Sequence, residues 1–474
     1  MRSPASAQAA LTYTVRLIQK GLTLLKLLAQ VRSVFGGATI SQYDYENDAL
    51  GRRTEIARSG TAMSETRTDA YGYNDRNELT NAVKNATLDE YAYQYDDIGN
   101  RLTSTELDAG GPSFVSAEYT ANNLNQYTSI SNSVPPRETF TPAYDLDGNQ
   151  TLVRTSTGIW SVTYNGENRP VQWSSGPTNI VMSFDRMGRR VEYVETVGTT
   201  TNVHHRFVYD GYLCVKRLNA ASGNANDLSF TWDPLEKVAT RLLMVAKTSK
   251  YRMYVTHDGN KNVSELVFFG GVSGIAAHYE YAPFGAVTVS TKNTSVYGYD
   301  FRTYNPFRFS SEYADDTLGL VYYNYRHYNP VDGRWTSRDP YVNDTSLCLG
   351  ECVDELYNEY TYVNNDSVRL ADKAGLFDYL CYCPQRSVIE VGGLAGSMIN
   401  GQKCDASRIG SRETISISSR CQTGGLLGFD CIHRYCASRR CELTMKYECK
   451  VIRDMPLRVY SWVLIYSDIS GCHS

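Results

Sequence analysis

The side chains best suited to chemistry by type and spacing lie near the end of the chain, where cysteine is concentrated. The segment Cys431–Cys441 brings three cysteines and His433 within eleven residues, a set that could ligate zinc through thiolate and imidazole groups. The segment lacks the paired C-x-x-C spacing of a tetrahedral zinc site, however. The sequence therefore favours disulfides over zinc, and it predicts no metal and no cofactor.

The density of cysteine in the same region indicates a domain stapled by disulfides. Nine of the 12 cysteines lie in the last 98 residues, a level typical of small exported domains. They are Cys381, Cys383, Cys404, Cys421, Cys431, Cys436, Cys441, Cys449 and Cys472. Because nine is odd, one thiol is free, pairs with Cys214, Cys348 or Cys352, or pairs with another molecule.

The residues of this tail do not indicate which activity it has. His433 and His473 are its histidines, and the sequence brings neither beside the partners that a nuclease or acyl-transfer site needs. The segment Gly392–Ser397 is rich in glycine but lacks the closing Gly-Lys-Ser/Thr of a phosphate loop. Residues 377–474 carry 12 basic and 9 acidic side chains, a balance of +3. That positive charge is compatible with binding to nucleic acid, although a solvated basic face is the more frequent explanation of such a charge.

Before the tail, the chain is built from a degenerate repeat of Tyr or Phe, Asp or Asn, and Gly, which recurs roughly every 20 to 28 residues. Eight copies begin at Asn47 (NDALGRRTE), Tyr73 (YNDRNELT), Tyr95 (YDDIGNR), Asn122 (NNLNQYT), Tyr144 (YDLDGNQT), Tyr164 (YNGENRPV), Phe184 (FDRMGRRV) and Tyr209 (YDGYL). Repeats of this length bury one face against their neighbours, so function belongs to the array and to what it carries.

Each copy predicts a strand that ends in a turn. Asp or Asn caps the turn through its side-chain oxygen, Gly supplies a positive φ, and the aromatic residue packs against the adjacent unit. The flanking segments alternate apolar and polar residues and are rich in Val, Thr, Tyr and Trp. The 37 tyrosines, against 14 Phe and 5 Trp, suit a thin wall that is wet on one side. The sequence therefore predicts an all-β fold with a continuous antiparallel sheet.

The N-terminal segment, residues 1–39, has a different pattern. Leu11–Phe35 places apolar residues at helical spacing and predicts an amphipathic helix. Basic residues, Lys20 and Lys26 among them, interrupt the apolar run, so the sequence predicts neither a membrane span nor a secretory signal here.

Several motifs between Trp232 and Leu376 resemble the core that closes RHS-repeat proteins. They are THDGNKNVSEL, YEYAPFG, YADDTLGLVYYNYRHYNPVDGRWTSRDPY and YNEYTYVNNDSVRLADKAGL. The upstream copies resemble the YD repeats of the same family. The resemblance divides the chain into an N-terminal segment (1–39), YD/RHS repeats (40–230), the RHS repeat-associated core (231–376) and a variable cysteine-rich C-terminal domain (377–474).

The resemblance implies an architecture and a function. Such proteins wind their repeats into a β-shell, close one end with a plug, and enclose or present a C-terminal effector, often a toxin. The implied partners are the chain's own C-terminal domain as cargo, an immunity protein and secretion machinery, and the implied location is secreted or at the cell surface. A sheet that spirals into a closed wall also removes exposed strand edges. At this length the repeats make a small or partial shell.

The resemblance also implies autoproteolysis by two aspartates. Asp339 in SRDPY and Asp372 in ADKAGL fall at the matching positions, and the expected cleavage bond is Leu376–Phe377. Two adjacent carboxyl groups cannot both ionise cheaply, so one serves as general acid and the other as general base. Arg338 is expected to hold one of them charged. Lys373 stands where the family has proline. Proline would fix the backbone φ near the bond and so set the angle at which the bond is approached.

The alternative for Asp339 and Asp372 is that they only cap turns of the plug. His327, the turn Asp332–Gly333 and the pair His257–Asp258 are interpreted as scaffold, with Asp-Gly as a hairpin signal. Arg326, Arg334 and Arg338 are expected to pair with acidic groups at the seam of the plug.

A second class of function remains open. The chain could be a non-enzymatic cell-wall or surface protein that binds carbohydrate or a partner through its tyrosine-lined repeats. Disulfides favour this hypothesis because an effector in a reducing cytosol would lose them. The core motifs and the change of composition after Leu376 favour the toxin carrier.

Overall fold

The computed structural model describes residues 11–19, 26–84, 89–107, 114–132, 138–234, 241–247, 251–268, 274–292, 299–340, 358–372, 375, 398–399, 402–403, 412–420, 440–453 and 459–473. The chain divides into two compact units. The first comprises residues 1–21, 26–345 and 354–378, and the second comprises residues 22–25, 346–353 and 379–474. Among the described residues, no helix is both long and apolar enough to cross a membrane.

The first unit holds two large antiparallel sheets in which each strand pairs with its neighbours in sequence. The first sheet has 11 strands: β1 Leu11–Gln19, β2 Lys26–Phe35, β3 Ala38–Asn47, β4 Arg53–Ser59, β5 Arg67–Tyr73, β6 Leu79–Lys84, β7 Asp89–Tyr95, β8 Arg101–Leu107, β9 Phe114–Ala121, β10 Tyr127–Asn132 and β11 Thr139–Phe140. The second sheet has 14 strands: β12 Ala143–Tyr144, β13 Gln150–Thr155, β14 Gly158–Tyr164, β15 Pro170–Ser175, β16 Thr178–Phe184, β17 Arg190–Val197, β18 Thr200–Asp210, β19 Leu213–Asn219, β20 Ala225–Trp232, β21 Leu242–Lys247, β22 Tyr251–His257, β23 Val263–Phe268, β24 Gly274–Tyr281 and β25 Val287–Lys292. The all-β prediction is confirmed, with two long sheets in place of one.

The repeat copies form turns of one geometry, which we call the turn row. In each turn, the side-chain Oδ1 of Asp or Asn accepts hydrogen bonds of 2.8–3.1 Å from the backbone N–H groups two and four residues later. Seven turns of the row lie in predicted copies and begin at Asp48, Asn74, Asp96, Asn122, Asp145, Asn165 and Asp185. An eighth turn begins at Asp258, in the THDGNKNVSEL motif. The residue three positions later has a positive φ in every case and is Gly, Asn or Lys. Seven of the eight predicted copies therefore fold as the sequence indicates.

Tyrosine hydroxyls tie successive units together. Tyr73 donates to the carbonyl of Arg53 (2.8 Å), and Tyr95 donates to the carbonyl of Leu79 (2.9 Å). Each acceptor lies five residues after the Asp or Asn that starts the preceding turn, and Tyr164, Tyr209 and Tyr281 repeat the contact with Gln150, Arg190 and Val263. Other repeat tyrosines, among them Tyr43, Tyr45, Tyr91 and Tyr93, are buried. These buried rings do not form the exposed aromatic surface that the carbohydrate hypothesis requires.

The glycines of the turn row predict a contrast in stability. Gly148 has φ +86°, and a Cβ there would lie 2.7 Å from the hydroxyl of buried Tyr360 and 2.5 Å from Nε of Arg338. We expect Gly148→Ala to cost about 2–4 kcal/mol, the sum of left-handed strain and overpacking. Gly188 occupies the same position of its own turn and has φ +81°. A Cβ added there would contact only the flexible guanidinium end of Arg169. Gly188→Ala should cost only about 1–2 kcal/mol in urea unfolding, and equal costs would contradict this account.

The two sheets meet at a closing seam between strands β3–β4 and strands β22–β24. Ser41 Oγ donates to Glu265 (2.7 Å), and Gly259 N donates to the hydroxyl of Tyr45 (2.7 Å). His278 bridges Glu265 (3.0 Å) and Glu280 (3.1 Å). The buried carboxylates of Glu265 and Glu280 thus share His278 as a partner.

Stability should therefore depend on pH through His278. Burial disfavours its charged form, but hydrogen bonds to Glu265 and Glu280 outweigh that effect and raise the pKa of His278 to about 9. A raised pKa adds stability that is fully present below the unfolded value of about 6.5 and is lost as pH rises through about 9. We expect the free energy of unfolding to fall by up to about 3 kcal/mol over that window. His278→Gln should abolish this decline in urea titrations at pH 6–9, and an unchanged decline would contradict it.

The segment after β25 forms a plug, defined here by residues 299–340, 358–372 and 375. It contains the short sheet β26 Tyr313–Asp315, β27 Leu320–Tyr322, β28 His327–Asn329 and β29 Arg334–Trp335, and 3₁₀ turns at Phe301–Tyr304, Phe309–Ser311 and Val363–Asn365. Its side chains and backbone bond to successive turns of the repeats. The contacts are Asn365 to Gly99, Asn358 to Asn100, Tyr360 to Gly148, Thr336 to Gln150, Tyr322 to Arg190 and Ser311 to Lys261. The plug thus closes the end of the unit on which the turn row lies.

Apolar packing fixes the plug to the inner faces of the sheets. Phe301, Phe307 and Leu320 of the plug join Trp173 and Leu266 of the second sheet in the largest hydrophobic cluster. A separate cluster inside the plug holds Tyr323, Tyr328, Trp335 and Tyr362. This burial supplies the main stabilisation of the plug.

The predicted N-terminal helix is wrong. Leu11–Gln19 and Lys26–Phe35 form strands β1 and β2, which pair antiparallel from Leu11 opposite Phe35 to Gln19 opposite Lys26. Within β2, Ala29, Val31, Ser33 and Phe35 are buried in alternation, while Arg32 is exposed. This period of two matches the face of a strand, and pairing with β3 overrides the leucine-rich helical pattern.

The second unit contains β30 Met398–Ile399, β31 Gln402–Lys403, β32 Arg412–Arg420, β33 Arg440–Arg453 and β34 Val459–His473. Strands β32, β33 and β34 form an antiparallel sheet, and β30 pairs with β31. The side chains of this unit, with the predicted disulfides and basic face, lie outside the described residues. The predicted boundary between the repeats and the core falls between residues 230 and 231, within a strand of the second sheet of the first unit. The predicted domain boundaries stay a prediction.

Candidate active site

Two aspartates from separate motifs meet at one arginine in the plug. Arg326 follows β27, and its Nη2 lies 2.9 Å from Oδ2 of Asp339 and 3.7 Å from Oδ2 of Asp372. The three side chains are at most 2% exposed. The structure thus brings together both predicted aspartates, which are 33 positions apart in sequence.

The same arginine fixes the backbone next to the predicted cleavage bond. Arg326 Nε donates to the carbonyl of Gly375 (2.6 Å), and the N–H of Gly375 donates to Asp372 Oδ1 (2.7 Å). Gly375 has φ +76°, and a Cβ there would lie 2.8 Å from Cβ of Tyr323. The chain is therefore held one residue before Leu376. Lys373, Leu376 and Phe377 lie outside the described residues.

Aromatic packing makes the surroundings of Arg326 poor in water. Its guanidinium lies 4.1 Å from the centre of the Trp335 ring, and its Nη1 donates to the carbonyl of Glu359 (3.1 Å). Electrostatic interactions are stronger in such a buried, apolar setting than in water. Positive charge at Arg326 is thus available to both carboxylates and to the backbone before the bond.

Arg338 does not take the place predicted for it. Its Nε lies 3.2 Å from Oε2 of Glu359, and both side chains are partly exposed. The arginine between the two aspartates is Arg326, which sequence reasoning assigned only to the seam of the plug. No spacing in the sequence distinguishes the two arginines, because the contact depends on how β27, β29 and the segment before Gly375 fold together.

Further acidic groups surround the two aspartates. Burial, and then the charge of Asp372, raise the pKa of Glu312 well above its usual range. Burial also raises the pKa of Glu359, helped by Asp339 and opposed by Arg338. Two glutamates near the aspartates therefore resist ionisation because of their burial.

The residues interpreted as scaffold have structural partners. His327 lies 3.3 Å from Asp315, which also pairs with Arg190, and burial lowers the pKa of His327. Asp332 and Gly333 form the turn between β28 and β29, with Gly333 at φ +66°. Arg334 was predicted to pair with an acidic group, but it lies over the Tyr127 ring at 3.9 Å and donates to the carbonyl of Asn125.

Cys214 is a buried free thiol, and the side chains of the tail cysteines lie outside the described residues. Within the described residues, no group of three or more His, Cys, Asp or Glu side chains could hold a metal ion.

Comparison with known proteins gives relatives among toxins. The tRNA3(Ser)-specific nuclease WapA of Bacillus spizizenii is 27% identical over 296 residues, which are 61% of this chain and 11% of that protein. The double-stranded DNA deaminase toxin A of Burkholderia cenocepacia is 26% identical over 217 residues, or 42% of this chain and 15% of that protein. The chain is thus similar over part of its length to a tRNA nuclease and to a DNA deaminase toxin. It spans 11–15% of the length of these relatives.

The fold has a counterpart among solved structures. The crystal structure of TcdB2-TccC3-Cdc42 superposes with a TM-score of 0.55 at 17% identity, covering 76% of this chain and 18% of that chain. At this identity the likeness shows the β-shell fold. No family model matches the chain.

Proposed function

We propose that this chain is an RHS-type toxin carrier whose plug cuts the chain between Leu376 and Phe377. The observation that carries the proposal is the convergence of Asp339 and Asp372 on Arg326, which also holds the carbonyl of Gly375. A cap for turns alone would not need a buried arginine that lies 2.9 and 3.7 Å from the two carboxylates and donates to the backbone beside the bond.

The reaction is hydrolysis of one peptide bond. One aspartate takes a proton from a water molecule, whose oxygen attacks the carbonyl carbon of Leu376. The other aspartate gives a proton to the amide nitrogen of Phe377 as the carbon–nitrogen bond breaks. The products are a carboxylate at Leu376 and an amine at Phe377. Arg326 positions the preceding residue through the carbonyl of Gly375 (2.6 Å).

The carrier presents or encloses the residues after the bond as cargo. The toxin relatives support a C-terminal effector, an immunity protein and export to the cell surface or medium as parts of this proposal. Their names give two different activities, a tRNA nuclease and a DNA deaminase, so similarity supplies no effector activity for residues 377–474.

Intact mass spectrometry of the full chain under denaturing conditions tests the proposal. We expect two fragments of 376 and 98 residues that separate without added protease. Comparing oxidised and reduced samples counts the disulfides of the smaller fragment. One uncut mass after prolonged incubation of the folded chain would contradict self-cleavage.

A further inference from the structure

The eighth copy of the repeat forms a turn unlike those of the turn row. Asp210 at the end of β18 pairs with Leu213 at the start of β19, so Gly211 and Tyr212 form a two-residue hairpin turn. Gly211 has φ +56°, as the first position of such a turn requires. The second position commonly holds Asn, Asp or Ser after a glycine, whereas here it holds a large aromatic residue. The sequence thus departs from the repeat at the tip of this hairpin.

Tyr212 at this tip contacts Tyr325 of the plug, which lies between β27 and β28. The two hydroxyl oxygens are 2.5 Å apart and share one hydrogen bond. The ring centres are 5.8 Å apart, and the ring planes are tilted by 41°. In tyrosine the two Cε atoms flank the carbon that carries the hydroxyl group. A contact between two hydroxyl groups therefore also brings the Cε atoms of the two rings near each other.

Access from solvent distinguishes this contact from a tyrosine pair inside the plug. The hydroxyl groups of Tyr323 and Tyr362 are 2.9 Å apart, but both side chains are completely buried. Tyr212 and Tyr325 are both partly exposed. An oxidant in solution can therefore reach the pair at the hairpin, whereas the protein excludes it from the pair inside the plug.

We propose that Tyr212 and Tyr325 form a site of oxidative cross-linking, where a dityrosine bond fastens the plug to the repeats. The co-reactant is hydrogen peroxide, used by a haem peroxidase. Both tyrosines precede the Leu376–Phe377 bond, so the cross-link stays within one fragment. The proposal therefore stands whether or not the chain cuts itself.

The cross-link forms by a two-electron oxidation. Each phenol loses one electron and its hydroxyl proton and becomes a phenoxyl radical. The two radicals form one carbon–carbon bond between a Cε atom of each ring. The hydrogen on each of these carbons then leaves as a proton, and a proton returns to each oxygen. One hydrogen peroxide molecule accepts the two electrons and the two protons and becomes two water molecules, so the product has two hydrogen atoms fewer than the separate tyrosines.

The cross-link should stabilise the plug because it closes a long loop. Tyr212 and Tyr325 are 113 positions apart, one in the repeats and one in the plug. Joining them lowers the conformational entropy of the unfolded chain, and this effect increases with the length of the closed loop. The cross-linked chain should therefore unfold at a higher urea concentration than the untreated chain.

Treating the folded full chain with a haem peroxidase and a limited amount of hydrogen peroxide tests the site. Dityrosine is detected by its characteristic fluorescence, and peptide mapping by mass spectrometry identifies the tyrosines that are joined. We expect one dominant cross-link within a single chain, between the peptides that contain Tyr212 and Tyr325.

Tyr212→Phe and Tyr325→Phe each keep the ring but remove the phenol group that has to be oxidised. Either variant should lower the yield of dityrosine by about tenfold or more, because the remaining tyrosine has lost the reactive partner held next to it. Urea unfolding of the untreated variants shows that they fold, and the second variant serves if the first does not. Tyr299→Phe is the matched control and should leave the yield unchanged. Tyr299 is 45% exposed, but the ring beside it at 5.6 Å belongs to buried Tyr251.

The position of the bond decides between a built site and general surface oxidation. A bond between Tyr212 and Tyr325 that is lost in the folded phenylalanine variants would support the proposal. Absence of dityrosine in the folded wild type, a dominant bond between other tyrosines or between two chains, or an equal yield in a folded phenylalanine variant would overturn it. A cross-linked chain that unfolds at the same urea concentration as the untreated chain would contradict the fastening role.

Discussion

Replacing Arg326 with methionine is expected to destabilise the plug by about 3–5 kcal/mol and to stop self-cleavage. The substitution leaves Asp339 and Asp372 buried without the guanidinium that lies 2.9 and 3.7 Å from them. It also removes the donor to the carbonyl of Gly375. Urea unfolding followed by tryptophan fluorescence measures the loss, since Trp335 lies 4.1 Å from the guanidinium.

Arg338→Met is the matched control for this prediction. Arg338 is a neighbouring arginine of the same plug, but it pairs with Glu359 where both side chains are partly exposed. We expect a loss of about 0–1 kcal/mol, because solvent screens such a pair. A larger loss for Arg338→Met than for Arg326→Met would show that the arginine between the aspartates is misassigned.

Asp339→Asn and Asp372→Asn should each slow self-cleavage by about 10²- to 10⁴-fold. Asparagine keeps the size of the side chain and can hydrogen-bond, but it can neither take nor give the proton that the reaction needs. The rate is measured from the uncut fraction of freshly folded chain against time. Asp316→Asn is the control, because Asp316 is an exposed plug carboxylate that pairs with Arg308.

Folding has to be separated from catalysis in these variants. A purely structural role predicts that loss of cleavage follows loss of the β-sheet circular dichroism signal and of the melting temperature. The catalytic account predicts a folded, uncut chain in both variants. Cleavage at the normal rate in both folded variants would reject the aspartyl mechanism.

The repeats could be predicted from sequence because their structure is local. Asp145 and Asp185 accept hydrogen bonds from N–H groups only two and four residues away, and Gly148 and Gly188 supply the positive φ in the same short segment. Four or five residues suffice to specify such a turn. The N-terminal strands were missed because the pairing of β2 with β3, outside the segment itself, decided their conformation.

Sequence motifs predicted the two aspartates of the site but not the arginine between them. Asp339 and Asp372 stand in motifs that resemble a known family, and the structure places both at one point. The choice of Arg326 over Arg338 depends on contacts between separate segments, which no spacing records.

Top-down mass spectrometry of the wild-type chain and of Asp372→Asn, side by side, tests the central claim most directly. The account predicts that the wild type yields a new N-terminus at Phe377 and a new C-terminus at Leu376, while Asp372→Asn stays whole. A cut at another bond, or the same cut at the same rate in the folded variant, would contradict it.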